Sequence, residues 1–286
     1  MKFATYIRNG AARLAVVDGD ALIDLADASP QVPTDLRKAL LDGVDLAAAA
    51  DAALRSDAPR VPVARAEFAP LVPEPGKIVC LGLNYYDHAQ ESGREKPEYP
   101  WFFFRGASSL LAHGKEALRP KVSERFDYEA ELAVVIGKRG KHVSQDAALD
   151  LVFGYTCFND ISVRDYQKRT PQWTIGKNFD ATGGFGPVLV TADVLPAGAI
   201  GLPIQCRLNG RVMQDANTKD MIWSVAETIS LLTECLTLEP GDVIVMGTPA
   251  GVGQSRTPPV WMKAGDRVEV EIGDIGVLAN TIVDEA

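Results

Sequence analysis

The decisive stretch is Asp127-Tyr128-Glu129-Ala130-Glu131, followed at once by Leu132-Ala133-Val134-Val135-Ile136-Gly137. Val134, Val135 and Ile136 are β-branched, so the apolar run reads as a buried strand. Alternate residues of a strand share a face. Asp127, Glu129 and Glu131 are therefore expected to point the same way, with neighbours roughly 6.6 Å apart. Carboxylates beside a hydrophobic run are costly unless something positive holds them. A hard divalent cation with oxygen ligands is one such partner. The other reading is an exposed strand edge with solvated acids.

The chain around this stretch has 286 residues, enough for one large domain or a large and a small one. With 47% hydrophobic and 23% charged residues it has the balance of a soluble globular protein. The net charge of −9 argues against nonspecific nucleic-acid binding. No apolar run approaches the ~20 residues that span a membrane. The start, Met1-Lys2-Phe3-Ala4-Thr5-Tyr6, lacks the apolar core of a secretory signal. A cytoplasmic protein is expected, without nucleic-acid or membrane partners. Cys80, Cys157, Cys206 and Cys235 form no CxxC pair and read as small buried hydrophobes. Three histidines, His88, His113 and His142, are too few for a His-rich metal centre.

Residues 1–70 read as a small N-terminal α/β domain ending in a linker. Phe3 to Ile7, Leu14 to Val17 and Ala21 to Leu25 suggest strands, turning at Asn9-Gly10 and Asp18-Gly19. Asp35 to Leu41 and Val44 to Leu54 suggest Ala/Leu-rich helices. Pro59, Pro62, Pro70, Pro73 and Pro75 mark a proline-dense connection. From residue 71 to 286 short strands dominate. Candidates are Ile78 to Leu81, Glu131 to Ile136, Phe153 to Phe158, Val188 to Val190, Ile204 to Leu208, Val243 to Val245, Val268 to Ile272 and Val277 to Ile282. Helices are expected at Tyr86 to Ser92, Gln145 to Leu151, Ser162 to Lys168 and Ser224 to Cys235. Without regular βαβ alternation, the fold class is α+β and β-rich, a mixed barrel or sandwich rather than a doubly wound sheet.

Four further segments carry chemistry. Asp160, in Asn159-Asp160, follows an apolar run and would meet Glu129 and Glu131 if the two strands are neighbours; its other reading is a helix N-cap. Arg164 and Gln167 stand three apart on one helical face. His88 and Glu91 are also three apart, so the carboxylate can orient the imidazole as a base for water; an exposed ion pair is the alternative. Gly82, Gly93, Pro97 and Pro100 around them suggest a mobile lid. Ile175-Gly176-Lys177-Asn178-Phe179-Asp180 and the glycine-rich run Gly247-Thr248-Pro249-Ala250-Gly251-Val252-Gly253 complete the set. The last is neither a dinucleotide fingerprint nor a Walker A loop. A glycine-rich turn after a buried strand lets backbone approach a small ligand.

Taken in order, these segments resemble the fumarylacetoacetate hydrolase family from about Lys77 to the C-terminus. The shared patterns are HxxE at His88 and Glu91, DYExEL at Asp127 to Leu132, NDxxxRDxQ at Asn159 to Gln167, GKxFD at Gly176 to Asp180 and GTPxGVG at Gly247 to Gly253. The resemblance implies a mixed β-roll catalytic domain, usually a homodimer, with Mg²⁺ or Mn²⁺ held by Glu129, Glu131 and Asp160. It implies a water-activating dyad of His88 and Glu91 on a lid. It implies that Lys177, Arg164, Gln167 and Thr248 bind substrate and stabilise charge. Two departures stand out: Gly183-Gly184-Phe185 replaces a Phe-Ala-Pro type sequence, and Arg105-Gly106 replaces a common Lys-Pro. The expected activity is metal-dependent hydrolysis of a C–C bond in a small β-diketo acid, an acylpyruvate such as maleylpyruvate or fumarylpyruvate. Decarboxylation of oxaloacetate, or tautomerisation of a 2-oxo acid, is the alternative through the same enolate. A non-catalytic binding relative is a third reading.

Overall fold

The computed structural model describes residues 1–93 and 95–286. The strand Ala130–Ile136 lies at the centre and is buried at every position. Its alternation sends Leu132, Val134 and Ile136 into one core and Ala133 and Val135 into another. A strand covered on both faces needs an apolar layer on each side, and this chain supplies both.

The strand belongs to a twelve-stranded mixed sheet. Its main path runs Arg60–Pro62, Ala21–Asp24, Ala11–Asp18, Lys2–Arg8, Gly183–Thr191, Val152–Asp160, Ala130–Ile136, Val243–Val245, Ile78–Gly82 and Trp101–Arg105. A second sheet of five strands, Arg211–Asn217, Pro203–Leu208, Arg267–Ile272, Gly276–Asp284 and Glu116–Arg119, packs against it. Ile204, Val268, Val270, Ile272 and Ile282 from that sheet share the first core with Leu132 and Val134. Each such side chain contributes about 1.5–3 kcal/mol on burial. The expected β-rich α+β class holds, and neither sheet closes into a barrel among the described residues.

The helices form where capping and periodicity coincide. Val225–Cys235 starts at a capping box, in which Ser224 and Glu227 bond each other's backbone N–H. It buries Val225, Ile229 and Leu232 along one stripe. Leu46–Arg55 is capped by Asp45 and buries Leu46, Ala49, Ala50 and Ala53. Those residues join Phe3, Leu14, Ala133 and Val245 in the second core.

The N-terminal strands extend the large sheet, because Lys2–Arg8 pairs antiparallel with Gly183–Thr191. The proline-dense connection carries the short strands Arg60–Pro62 and Glu67–Phe68, and buries Leu71 and Val72. Three local expectations are corrected. Ser162–Val163 is extended and pairs with Phe126–Asp127, so only Arg164–Gln167 of the expected helix is helical. Asp127 is not on the strand that carries Glu131: the chain leaves that pairing before Ala130 begins the long ladder. Cys80, Cys157 and Cys206 are buried as expected, whereas Cys235 is exposed.

Candidate active site

The long strands bring the acidic residues together. Ala130 pairs with Asn159 and Glu131 with Phe158, so Asp160 lies at the same end of the sheet as Glu129 and Glu131. The Asp160 N–H donates to the Glu129 carbonyl at 2.9 Å. One carboxylate oxygen from each of Glu129, Glu131 and Asp160 lies within 4.8 Å of the others, and all three residues are buried. Asp127 is drawn elsewhere: it accepts from Gly253 and Gln254 backbone N–H at 2.7 and 3.0 Å and from Arg164 Nε at 2.8 Å.

Three buried cations face this cluster. Arg164 spans Asp127 and Glu129, bonding Glu129 at 2.7 Å, and its remaining arm donates to Gln167 at 3.0 Å. Lys177 donates to Glu129 and, at 2.5 Å, to Asp160. Its approach depends on Gly176, where a Cβ would stand 2.4 Å from the Gln167 backbone nitrogen. Arg105 donates through Nε to Asp160 and through an Nη to the Ile161 carbonyl at 2.7 Å.

The carboxyls respond differently. Burial alone would raise Glu129, but Arg164, Lys177 and His88 hold it down at about 2. Burial, followed by the Asp160 and Glu129 charges, pushes Glu131 well above the ordinary carboxyl range. Its one bond from the described protein is the Gly247 N–H at 2.6 Å, and among the described residues no basic side chain pairs with it. Burial opposes the Lys177 charge, yet Asp160 and Glu129 outweigh it and raise the ammonium above its usual value.

Above the cluster, the helix Tyr86–Glu91 carries His88, whose Nδ1 lies 3.3 Å from Glu91 Oε2. The same carboxylate accepts the Gly251 N–H at 3.0 Å, so the helix rests on the glycine-rich turn. Gly251 has φ +101°, a conformation that a side chain disfavours. With Glu91 engaging Nδ1, Nε2 is the ring nitrogen left to exchange a proton.

His88, Glu91, the three clustered carboxylates, Arg164, Gln167 and Lys177 border one cavity of about 390 Å³. Thr248 is fixed in its wall, donating to the Ala130 carbonyl at 3.0 Å and accepting from Gln214 at 2.7 Å. His88, Glu91, Glu129, Glu131, Asp160, Arg164, Gln167, Lys177 and Thr248, all named from the sequence, thus meet at one place. The roles expected for Arg164 and Thr248 must share their polar atoms with structural bonds.

Two residues, Gln214 and Trp173, escaped sequence reasoning, and a third, Arg105, was singled out only as a departure and given no site role. Gln214 also accepts from the Ala130 N–H at 2.9 Å and sits on Arg211–Asn217, a strand too polar to be recognised. Trp173 packs on Gly82, where a Cβ would stand 1.9 Å from its ring, and closes one wall beside Phe103. Arg105 stands at the end of an aromatic run, and its departure from a common lysine was the available signal.

The profile of the fumarylacetoacetate (FAA) hydrolase C-terminal region matches residues 77–283. The human mitochondrial oxaloacetate tautomerase FAHD2A is 40% identical over 268 residues, covering 93% of this chain and 85% of that protein. The fumarylacetoacetate hydrolase of psychrophilic Exiguobacterium antarcticum superposes with a TM-score of 0.86 at 32% identity, with both chains fully covered. The maleylpyruvate hydrolase of Sphingobium sp. SYK-6, solved with manganese(II) and pyruvate, superposes at 0.84 with 29% identity, again over the whole of both chains.

Proposed function

The chain belongs to the fumarylacetoacetate hydrolase family, and from that membership we propose that it is an enzyme acting on a small 2-oxo acid with a second carbonyl group. The observation that carries this reading is the placing of one acid–base pair, His88 and Glu91, over one buried carboxylate cluster. The donor set suits Mg²⁺ or Mn²⁺, being all oxygen, and a bound ion would give Glu131 the positive partner that no basic side chain among the described residues supplies. A divalent ion held by Glu129, Glu131 and Asp160 would supply Lewis-acid polarisation of the 2-oxo group and of enolate charge.

The chain's own residues do the rest. His88, turned by Glu91, takes a proton from the carbon between the two carbonyls through Nε2 and returns it to oxygen or carbon. Lys177 supplies fixed positive charge where enolate charge develops. Gln167 and Arg164 line the same side and orient the substrate carboxylate. Trp173 and the lid helix exclude water.

Proton transfer alone completes a keto–enol interconversion. The likeness to the oxaloacetate tautomerase over 93% of the chain makes oxaloacetate the first substrate to test. Hydrolysis of an acylpyruvate is the second reading, favoured by the likeness to the maleylpyruvate hydrolase. There His88 would deprotonate water, which attacks the distal carbonyl. The C–C bond then breaks, and its electron pair leaves as an enolate that is reprotonated.

The test is a panel of oxaloacetate, maleylpyruvate, fumarylpyruvate and acetylpyruvate with Mg²⁺ or Mn²⁺. Enol absorbance, product acids and CO₂ would be followed separately. Loss of enol signal without new acids or CO₂ supports tautomerisation; no turnover of any member rejects the enzyme reading. We also propose a homodimer, from family resemblance. Sedimentation near twice the 30.8 kDa chain mass is expected, and a monomer at micromolar concentration contradicts it.

A further inference from the structure

The two places where the sequence departs from the family pattern are far apart in the chain but touch in the fold. Arg105 donates through Nη1 to the Thr182 hydroxyl at 3.3 Å and through Nη2 to the Ile161 carbonyl at 2.7 Å. Its Nε meets Asp160 Oδ1, and its side chain is fully buried. The Phe158 ring lies 5.8 Å from the guanidinium carbon. Thr182 is itself fixed, donating to the Phe179 carbonyl at 2.6 Å. At Gly183 a Cβ would stand 3.2 Å from Arg105 Nη1, tighter than ordinary contact, so the glycine leaves room for the larger head group.

We propose that Arg105, seated by Thr182 and Gly183, is a positioning residue that fixes the Asp160 carboxylate and thereby sets which divalent ion the carboxylate cluster accepts. The guanidinium is a planar fork with donors in fixed directions, whereas a lysine ammonium is a rotatable point charge. Arg105 occupies Oδ1, and Oδ2 is the oxygen turned toward Lys177 and Glu129. Held so, Asp160 offers one oxygen to the cluster. A small ion with a strict six-fold shell tolerates that, while a larger ion with six to eight oxygen ligands gains from carboxylates free to give both oxygens. The fork therefore favours Mg²⁺ or Mn²⁺ over Ca²⁺. Groups behind ligands commonly shift metal affinity about 10–100-fold when changed.

This rests on the metal reading of the cluster, and the experiment separates the two. Calorimetric titration of the whole metal-free protein with Mg²⁺, Mn²⁺ and Ca²⁺ gives the discrimination ratio without any assay of turnover. If the wild type binds none of the three ions, the metal reading itself fails. If it binds them, Arg105→Lys should retain binding, since charge is kept, yet lose about tenfold of its preference for Mg²⁺ over Ca²⁺. Arg105→Met should lose at least as much. Thr182→Val removes one bond to the fork, nearly preserves volume and should shift the ratio the same way by less; it serves if the Arg105 variants fail to fold. A folded Arg105→Lys with wild-type discrimination overturns the proposal. So does an unchanged ratio in Thr182→Val when the Arg105 variants cannot be folded.

Discussion

Arg105 and Asp160 form a buried ion pair although three strands lie between their own strands in the large sheet. In a flat sheet four inter-strand spacings would separate them by roughly 19 Å. Their contact requires the sheet to roll around the site. The carboxylate cluster, the cations and the cavity all lie inside that curl.

Removal of metal is the first prediction. EDTA should abolish turnover, and Mg²⁺ or Mn²⁺ should restore it. Glu131→Gln should weaken ion binding measured by calorimetry, because it removes the carboxylate that has no cationic partner among the described residues. Full activity in protein shown by elemental analysis to be metal-free would sink the metal reading.

His88→Ala should lower the rate on the best substrate by about 10²–10⁴-fold, the usual worth of a general acid–base group. Ion affinity should barely change, since His88 is outside the carboxylate cluster. Glu91→Gln should produce a smaller loss. It also weakens the bond to Gly251 that seats the helix. An unchanged rate in His88→Ala would remove the dyad from the mechanism.

Lys177→Met should destabilise the metal-free protein by about 3–5 kcal/mol, because it leaves two buried carboxylates without that partner. Saturating Mg²⁺ should recover part of the loss in a thermal melt, since the ion replaces the missing charge. Equal melting temperatures of variant and wild type without metal would refute this account.

His113 predicts a pH effect away from the site. Burial first, and then Arg267, lower its pKa from 6.5, and its Nδ1 accepts the Ala279 N–H at 3.1 Å. The folded value lies below the unfolded one. Its contribution is therefore present above about pH 6.5 and lost as pH falls through the folded value. Relative to His113→Gln, wild-type stability should fall on acidification from neutral pH. A constant difference across that range would contradict the assignment.

Much of the site was legible from residue order. A strand period of two predicted one face for Asp127, Glu129 and Glu131; Glu129 and Glu131 do meet, although Glu129 lies just before the strand and Asp127 is drawn elsewhere. A spacing of three joined His88 to Glu91 and Arg164 to Gln167, and both pairs are observed. The helix expected over Ser224 to Cys235 and the strand expected from the β-branched run at Val134 are both observed. Arg211–Asn217 was not expected, because its polar residues carry no strand signature and its stability comes from pairing with Pro203–Leu208.

The chain order alone determined which groups exist and which short-range pairs they form, because backbone periodicity acts over a few residues. It could not show that Asp127 is taken by Arg164 and the backbone of Gly253, nor that Arg105 would reach Asp160. Nor could it show that Glu131 alone of the three clustered carboxylates has no basic side chain among the described residues. Those outcomes follow from how far the large sheet curls. That curl is set by the sum of twist along many strands and by packing of the five-stranded sheet against it. Buried charges must find partners wherever the closed backbone leaves them, so only the tertiary structure decided which cation answers which carboxylate.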